Sequence, residues 1–253
     1  MSAVSIVKGS IKLAGLVFKP SSLSTKAPGL VIVHPTRGVK EQAASTYAKK
    51  HSQQGYVTIC YDASQQGESE RLPRYLEDPA ASVTDASAVA DYLQLLDYVD
   101  VNRIGIVGIC AYGGYAVAAT KGDHRFKAVA VVSAVSMVYG IRLGRSGNDD
   151  PAEKVAAVLD QVVQALQAEA DGGESVTVPI VSPTLNENPT KDTRDTYEYT
   201  RWHTETLFKV LDGKNKGLKK VIMPNGGHID FYDQEDYVNP TVEEIAGFFK
   251  PIV

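Results

Sequence analysis

Residues 103–114 read Arg-Ile-Gly-Ile-Val-Gly-Ile-Cys-Ala-Tyr-Gly-Gly, and this stretch decides the fold of the chain. The β-branched run at 104–107 predicts a strand, and the small residues at 113–120 predict a helix that starts just after Cys110. A strand that turns sharply into a helix holds the side chain at the turn clear of the backbone and points free N–H groups at it. We therefore predict that Cys110 is a nucleophile whose thiol pKa is lowered by the helix N-terminus.

A lone cysteine at a strand end is more often an inert, buried hydrophobic residue, and the two readings must be compared. Cys60, inside the apolar run 56–61, is interpreted in that way. The glycines that flank Cys110 favour the nucleophile instead. One residue departs from the pattern, since the second position after such a nucleophile is usually small and here is Tyr112. Its side chain is expected to point outward or to distort the turn.

The composition is that of an ordinary globular protein, with 43% hydrophobic and 22% charged residues in a chain of 253. This length fits one large α/β domain. A net charge of −4 gives no reason to expect nucleic acid or an anionic membrane as a partner. Two cysteines provide no disulfide framework, so we expect a reducing, cytoplasmic location. Neither a signal segment nor an apolar run of about 20 residues is found, nor is zinc-type Cys/His spacing.

Strand and helix patterns alternate along the first half of the chain, which implies right-handed crossovers and a mostly parallel, doubly wound sheet. Residues 137–205 break this order and hold one helical pattern and a Pro-punctuated stretch. We predict an α/β core over 1–136 and 206–253, with 137–205 as a lid; the alternative is an elaborate surface loop. The predicted strands are 4–8, 11–18, 30–34, 57–61, 103–108, 127–133 and 220–223, and the predicted helices are 40–54, 83–96, 155–166 and 241–249.

A cysteine nucleophile needs a base, and five histidines compete for this role. His228 follows the last predicted strand in a glycine-rich turn and is the preferred base. His51 and His124 have polar neighbours and are interpreted as surface residues, whereas His203 is expected to pack in the lid. His34 is a second catalytic candidate, but a structural role is favoured, in which its ring hydrogen bonds fix the loop at 34–38.

The oxyanion of an acyl-transfer intermediate needs two backbone N–H donors. One is expected from Ala111, directly after the nucleophile. The other is expected from the loop that follows the third strand, residues 34–38, with Thr36 as the first candidate and Arg37 as the next.

Four blocks of the sequence, taken together, make the chain similar to a known family: 34–42 (HPTRGVKEQ), 61–69 (YDASQQGES), 108–115 (GICAYGGY) and 228–233 (HIDFYD). In this order, they resemble the dienelactone-hydrolase-like α/β hydrolases, in particular the branch that includes fungal polyketide transferases. The resemblance implies an α/β-hydrolase fold with a lid insertion after the sixth strand, and acyl chemistry on esters, lactones or thioesters without a cofactor or metal. A glutamate that controls the thiol in dienelactone hydrolase corresponds to Pro35, so this control is expected to be missing.

The third member of a catalytic triad is difficult to place. Members of the family carry a further strand that ends in Gly-Ser-x-x-Asp before the last strand, and this block is not found here. Asp212 is the nearest candidate, and Asp230 is an alternative. Residues 213–218 are too few for a parallel crossover, so 207–211 is expected to be a helix end or an antiparallel turn. The seventh strand is therefore predicted to be missing or altered.

Three functions stay open from the sequence. The first is an esterase- or thioesterase-like hydrolase in which Cys110 and His228 form a dyad and water releases the acyl group. The second is an acyltransferase that uses the same dyad and passes the acyl group to an alcohol or amine. The third is a catalytically impaired protein that binds a small acyl ligand or a partner, favoured by the absent acid and by Tyr112. The expected partner is a small-molecule acyl substrate, and a homodimer stays open.

Overall fold

A six-stranded sheet forms the centre of the molecule, and its strand order is β1-β2-β4-β3-β5-β6. The computed structural model describes residues 1–23, 25–137, 152–174, 176, 203–212 and 217–253. The first two strands form an antiparallel hairpin that pairs with β4, and all other pairings are parallel. The strands are β1 Ser2–Lys8, β2 Ile11–Phe18, β3 Ala27–Val33, β4 Val57–Tyr61, β5 Val99–Ile109 and β6 Phe126–Val132. The mostly parallel sheet predicted from the sequence is confirmed.

Helices cover both faces of this sheet. They are α1 Ala43–Gln53, α2 Pro79–Gln94, α3 Tyr112–Gly122, α4 Ala152–Ala170, α5 Asp230–Asp233 and α6 Glu235–Phe249, with a further helical segment at 203–211. Alternate residues of β3 enter two separate cores, because successive side chains of a strand point to opposite faces. Val31 and Val33 pack with α2 and α3, whereas Leu30 and Ile32 pack with α1 and α6. The sheet is therefore doubly wound, as predicted.

Several predicted boundaries are wrong by a few residues. The second helix begins at Pro79 rather than after 82, because the Asp78 side chain accepts a hydrogen bond of 3.0 Å from the Ala81 N–H and caps the helix. The last helix begins at Glu235 and contains Pro240, which the sequence interpretation had placed outside it. Neither difference moves a candidate site residue to another element.

The predicted strand at 220–223 is wrong. These residues form no strand and join no sheet, so within the described part of the chain β6 is the edge of the sheet. Val221 and Ile222 stay 44% and 56% exposed, so burial does not draw this run into the sheet. A cavity of about 290 Å³ lies between β6, the 203–211 segment, residues 218–223 and α6. The expectation of a missing or altered seventh strand agrees with this arrangement.

The predicted lid falls mostly on residues that lie outside the described ones. Within 137–205 the structure describes Met137, α4, a few residues after α4 and the start of the 203–211 segment. The predicted helix at 155–166 is confirmed as α4, and its apolar side chains are exposed. A covering role for this region stays a prediction. Among the described residues no helix is both long and apolar enough to cross a bilayer.

Gly108 is buried near the end of β5 and cannot carry a side chain without displacing the start of α3. An added Cβ would lie 2.5 Å from the Tyr112 carbonyl oxygen and 2.8 Å from Ala116 Cβ. We expect Gly108→Ala to lower the free energy of unfolding by about 1–3 kcal/mol, measured by urea denaturation, because it overpacks this contact. Gly122→Ala is the control, since nothing lies within 4 Å of its Cβ position. Equal unfolding midpoints for the two variants would contradict the prediction.

Candidate active site

The turn from β5 into α3, residues 108–114, is called the elbow below. Cys110 stands at its apex with a φ of +61°, a left-handed backbone conformation that is strained for a side-chain-bearing residue. Two bonds to the end of β6 fix this conformation: the Cys110 N–H donates to the Val132 carbonyl at 2.9 Å, and the Val135 N–H donates to the Cys110 carbonyl at 3.1 Å. The sulfur is therefore presented by rigid backbone, as a preorganised nucleophile requires.

Tyr112 neither points outward nor distorts the elbow, so both sequence-based expectations for it are wrong. Its side chain points inward and is 1% exposed. The ring packs on that of His34 with centroids 4.7 Å apart, and its hydroxyl accepts a hydrogen bond of 3.3 Å from Ser82 of α2. A bulky residue fits at this position because α2 and the loop after β3 leave it a buried slot.

The backbone N–H groups of Ala111 and Thr36 both lie near enough to the Cys110 thiol to lower its pKa. These are the two groups that the sequence predicted as oxyanion donors, and the structure brings them to one place. The expected lowering of the thiol pKa is wrong. Burial raises the pKa of Cys110, and the lowering caused by Tyr232, Ala111 and Thr36 does not offset it. The sulfur therefore rests as a thiol at neutral pH, and a base is needed to activate it.

His34 has the structural role that was favoured. Its Nε2 accepts from the Ala63 N–H at 3.1 Å, so Nδ1 carries the proton and donates to the Pro35 carbonyl at 2.7 Å. Lys40, later in the same loop, is buried and bonds Asp62 twice: its backbone N–H reaches Oδ1 at 2.7 Å and its ammonium reaches Oδ2 at 2.9 Å. These contacts tie the loop that carries Thr36 to the end of β4.

His228 is buried beside the elbow at 8% exposure. Its Nε2 lies 2.8 Å from the hydroxyl of Tyr232, and that hydroxyl is also near enough to the Cys110 thiol to lower its pKa. Tyr232 therefore stands between the predicted nucleophile and the predicted base. Burial lowers the pKa of His228 to about 4, so the imidazole is neutral at pH 7 and is able to accept a proton. Its Nδ1 has no hydrogen-bond partner among the described residues.

Neither predicted acid is in the position of a triad acid. Asp212 is exposed at the end of the 203–211 segment and makes no hydrogen bond to His228, so its assignment is wrong. Asp230 is occupied elsewhere, since its Oδ2 accepts from the Gly227 N–H at 2.6 Å and holds the turn that presents His228. Among the described residues no carboxylate bonds Nδ1 of His228, and the 203–211 segment, beside which the acid was expected, does not enter the sheet next to β6.

The remaining histidines have no part in the proposed chemistry, but the surface position predicted for His51 is wrong. This residue is fully buried on α1 between the rings of Tyr47 and Tyr56, not on the surface. The polar residues next to His51 in the sequence suggested an exposed position, but the His51 side chain lies on the buried side of α1. His124 is exposed, as predicted, and His203 is buried, which agrees with the packing role expected of it.

Two residues near the sulfur were missed by the sequence analysis. Glu77 is partly buried in the loop before α2, and its carboxyl pKa is raised by that burial. Tyr115 of α3 contacts Glu77, and both lie near enough to Cys110 to interact with it electrostatically. No spacing in the sequence marks either residue, because the contact depends on how a loop of irregular structure folds over the elbow.

Both cysteines are free thiols, and within the described ranges no group of His, Cys, Asp and Glu is arranged to hold a metal ion. Cys60 is the inert cysteine that was expected: it is fully buried, and burial raises its pKa to about 12. The cavity beside β6 reaches His228 but does not include Cys110 in its lining.

The parallel sheet, the strained cysteine elbow and the histidine turn after the last core segment together define an α/β hydrolase. A solved structure from Pseudomonas aeruginosa, that of hypothetical protein PA2218, has the same fold, with a TM-score of 0.83 at 24% identity over 100% of this chain and 93% of that one. The sequence profile of the dienelactone hydrolase family matches residues 13–174, and the chain belongs to this family.

Two relatives extend the comparison. The uncharacterized protein YcjY of Escherichia coli K12 is 39% identical over 292 aligned positions, which cover 95% of this chain and 94% of YcjY. The alignment is longer than the 253 residues of the chain, so YcjY has internal positions without a counterpart here. The polyketide transferase claH of Penicillium crustosum is 28% identical over 64% of this chain and 51% of its own length. The similarity to the polyketide-transferase branch is thus confirmed.

Proposed function

We propose that this protein is a cysteine-dependent hydrolase that cleaves carboxylic ester, lactone or thioester bonds through an acyl-enzyme on Cys110. The observation that carries this proposal is the placement of two backbone N–H groups beside the Cys110 sulfur, with the neutral, buried imidazole of His228 next to the Tyr232 hydroxyl that also neighbours the sulfur. A thiol is intrinsically nucleophilic once it is deprotonated, and a positioned base supplies that deprotonation at neutral pH. The family is one of hydrolases, which supports the same reaction class.

In the proposed reaction the sulfur of Cys110 attacks the substrate carbonyl carbon while His228 acts as the base. The Ala111 and Thr36 N–H groups stabilise the negative oxygen of the tetrahedral intermediate. Collapse of this intermediate breaks the bond to the leaving group, which takes up the proton held by His228. Water then attacks the thioester carbonyl, and the acid is released with the thiol restored.

The test of this proposal is to trap the acyl-enzyme. The full chain is mixed with p-nitrophenyl acetate at pH 7.5, quenched in acid and measured by intact-protein mass spectrometry. We expect a mass increase of one acetyl group that peptide mapping places on Cys110, both in the natural chain and in Cys60→Ala. An unmodified protein, or an acetyl group on another residue, would overturn the proposal. In that case, unreactive Cys110 in the presence of iodoacetamide would point to an acyl-binding protein without catalysis.

Acyl transfer is the second candidate, and the similarity to claH favours it. The two reactions share the acyl-enzyme and differ only in the acceptor that attacks it. Adding a primary alcohol or amine during turnover separates them by product analysis. A transferase forms the new ester or amide in preference to acetate at acceptor concentrations far below that of water, whereas a hydrolase releases acetate.

A further inference from the structure

We propose that Tyr232 is a catalytic residue, whose hydroxyl passes the proton of the Cys110 thiol to Nε2 of His228. This inference rests on the proposed function and adds a third reacting side chain to it. Its basis is the position of the hydroxyl, which lies 2.8 Å from Nε2 and close enough to the sulfur for the two groups to influence each other's pKa. Among the described residues no hydrogen bond links the thiol and the imidazole directly, so Tyr232 is the connection between them.

The position of the Tyr232 hydroxyl is fixed by contacts of the helix that carries it. Tyr232 belongs to the short helix α5, in which its N–H donates to the Ile229 carbonyl at 2.8 Å. The Tyr47 hydroxyl of α1 donates to the Phe231 carbonyl, also at 2.8 Å. The Tyr232 ring lies edge-on to that of His228 with centroids 5.4 Å apart. These contacts fix the ring from two neighbouring elements.

The proton transfer balances without a charged tyrosine. The S–H bond of Cys110 breaks as its proton moves to the Tyr232 oxygen, and the original O–H proton moves to Nε2 of His228. The electron pair left on the sulfur forms the C–S bond to the substrate. Burial keeps the pKa of Tyr232 far above its usual value, so the phenol is neutral before and after the transfer. The reverse movement delivers a proton to the leaving group.

Among the described residues, few titratable groups face the Tyr232 hydroxyl. Cys110 faces it from the elbow, His228 from the preceding turn and Tyr47 from α1. Glu77, in the loop before α2, faces the thiol. Between neutral pH and the raised pKa of the thiol, none of these groups is expected to replace Tyr232 as the bridge.

The experiment compares Tyr232→Phe with the natural chain in the acylation rate of Cys110, measured as the burst of p-nitrophenol. At pH 7 we expect acylation to fall on the order of 100-fold, because general-base assistance is lost. As the pH rises above the pKa of the thiol, hydroxide forms the thiolate without a relay, so the two rates are expected to converge. A solely structural role would instead give a ratio that does not depend on pH.

Two control variants sharpen this comparison. Tyr56→Phe removes a hydroxyl that donates to the Ala246 carbonyl at 3.4 Å, away from the elbow, and is expected to acylate normally. Tyr47→Phe removes the hydroxyl that supports α5, and its effect is expected to be the same at every pH. An unchanged Tyr232→Phe rate, or a ratio to the natural rate that stays constant with pH, would overturn the relay while leaving Cys110 acylation intact. Absence of acylation in the natural chain would overturn the proposed function instead.

Discussion

Cys110→Ala is expected to reduce p-nitrophenyl acetate hydrolysis to the rate of a protein without a nucleophile, a loss on the order of 1000-fold or more. The sulfur forms the covalent bond in the proposed reaction, and the methyl group of alanine offers no substitute for it. The oxyanion donors would stay in place, since they are backbone groups of Ala111 and Thr36. The initial rate of p-nitrophenol release, followed at 405 nm for each protein, measures the effect.

Cys60→Ala is the matched control for this variant. Cys60 is fully buried in β4, and its raised pKa keeps it a thiol. We expect its removal to lower stability slightly, through lost packing, and to leave the rate unchanged. Cys110→Ala with an undiminished rate would remove the sulfur from the mechanism. A comparable loss in both variants would show that folding, rather than chemistry, had been measured.

The elbow could be predicted from the sequence because its physics is local. A β-branched strand, a cysteine and two glycines lie within a dozen residues, and the backbone that they favour presents the sulfur regardless of the rest of the chain. The proximity of Ala111 and Thr36 to the sulfur followed from the same reasoning, since Ala111 is adjacent to Cys110 and Thr36 lies in the loop after the neighbouring parallel strand; their role as oxyanion donors stays a prediction. Parallel strands place their carboxyl ends at one edge of a sheet, which is a rule of topology.

The residues that could not be predicted depend on contacts between distant parts of the chain. Tyr232 reaches the sulfur only because α5 packs against α1, and Glu77 does so only because an irregular loop folds over the elbow. The thiol pKa was predicted in the wrong direction for a related reason. The sequence indicates that a helix begins at the thiol, which would lower the thiol pKa. The burial that raises this pKa more strongly is produced by the whole fold.

The lack of a carboxylate at His228 within the described part of the chain and the proposed relay are physically connected. A carboxylate at Nδ1 normally orients the imidazole and stabilises the imidazolium that forms. Here Nδ1 has no partner among the described residues, and the ring is oriented from its other nitrogen by Tyr232. An imidazolium in this buried site is costly, so we expect catalysis to be slower than in a complete triad but to retain dependence on Cys110.

Acidification from pH 6.5 to 4 is expected to destabilise the fold through its buried histidines. Burial lowers the pKa of both His51 and His228 to about 4, from an ordinary value of 6.5. Between these values the unfolded chain binds protons that the folded chain does not. The stabilisation is therefore fully present above pH 6.5 and is lost as the pH falls towards 4. Each histidine contributes on the order of 3 kcal/mol to this loss.

His51→Leu isolates this effect from catalysis, because His51 lies on α1 and both of its ring nitrogens are buried without a hydrogen-bond partner. We expect the variant to lose on the order of 3 kcal/mol less stability than the natural chain between pH 7 and pH 4, measured by urea unfolding. His124→Gln is the control, since this exposed histidine should leave the pH dependence unchanged. If His51→Leu kept the full acid sensitivity, the buried neutral imidazole would not be its source.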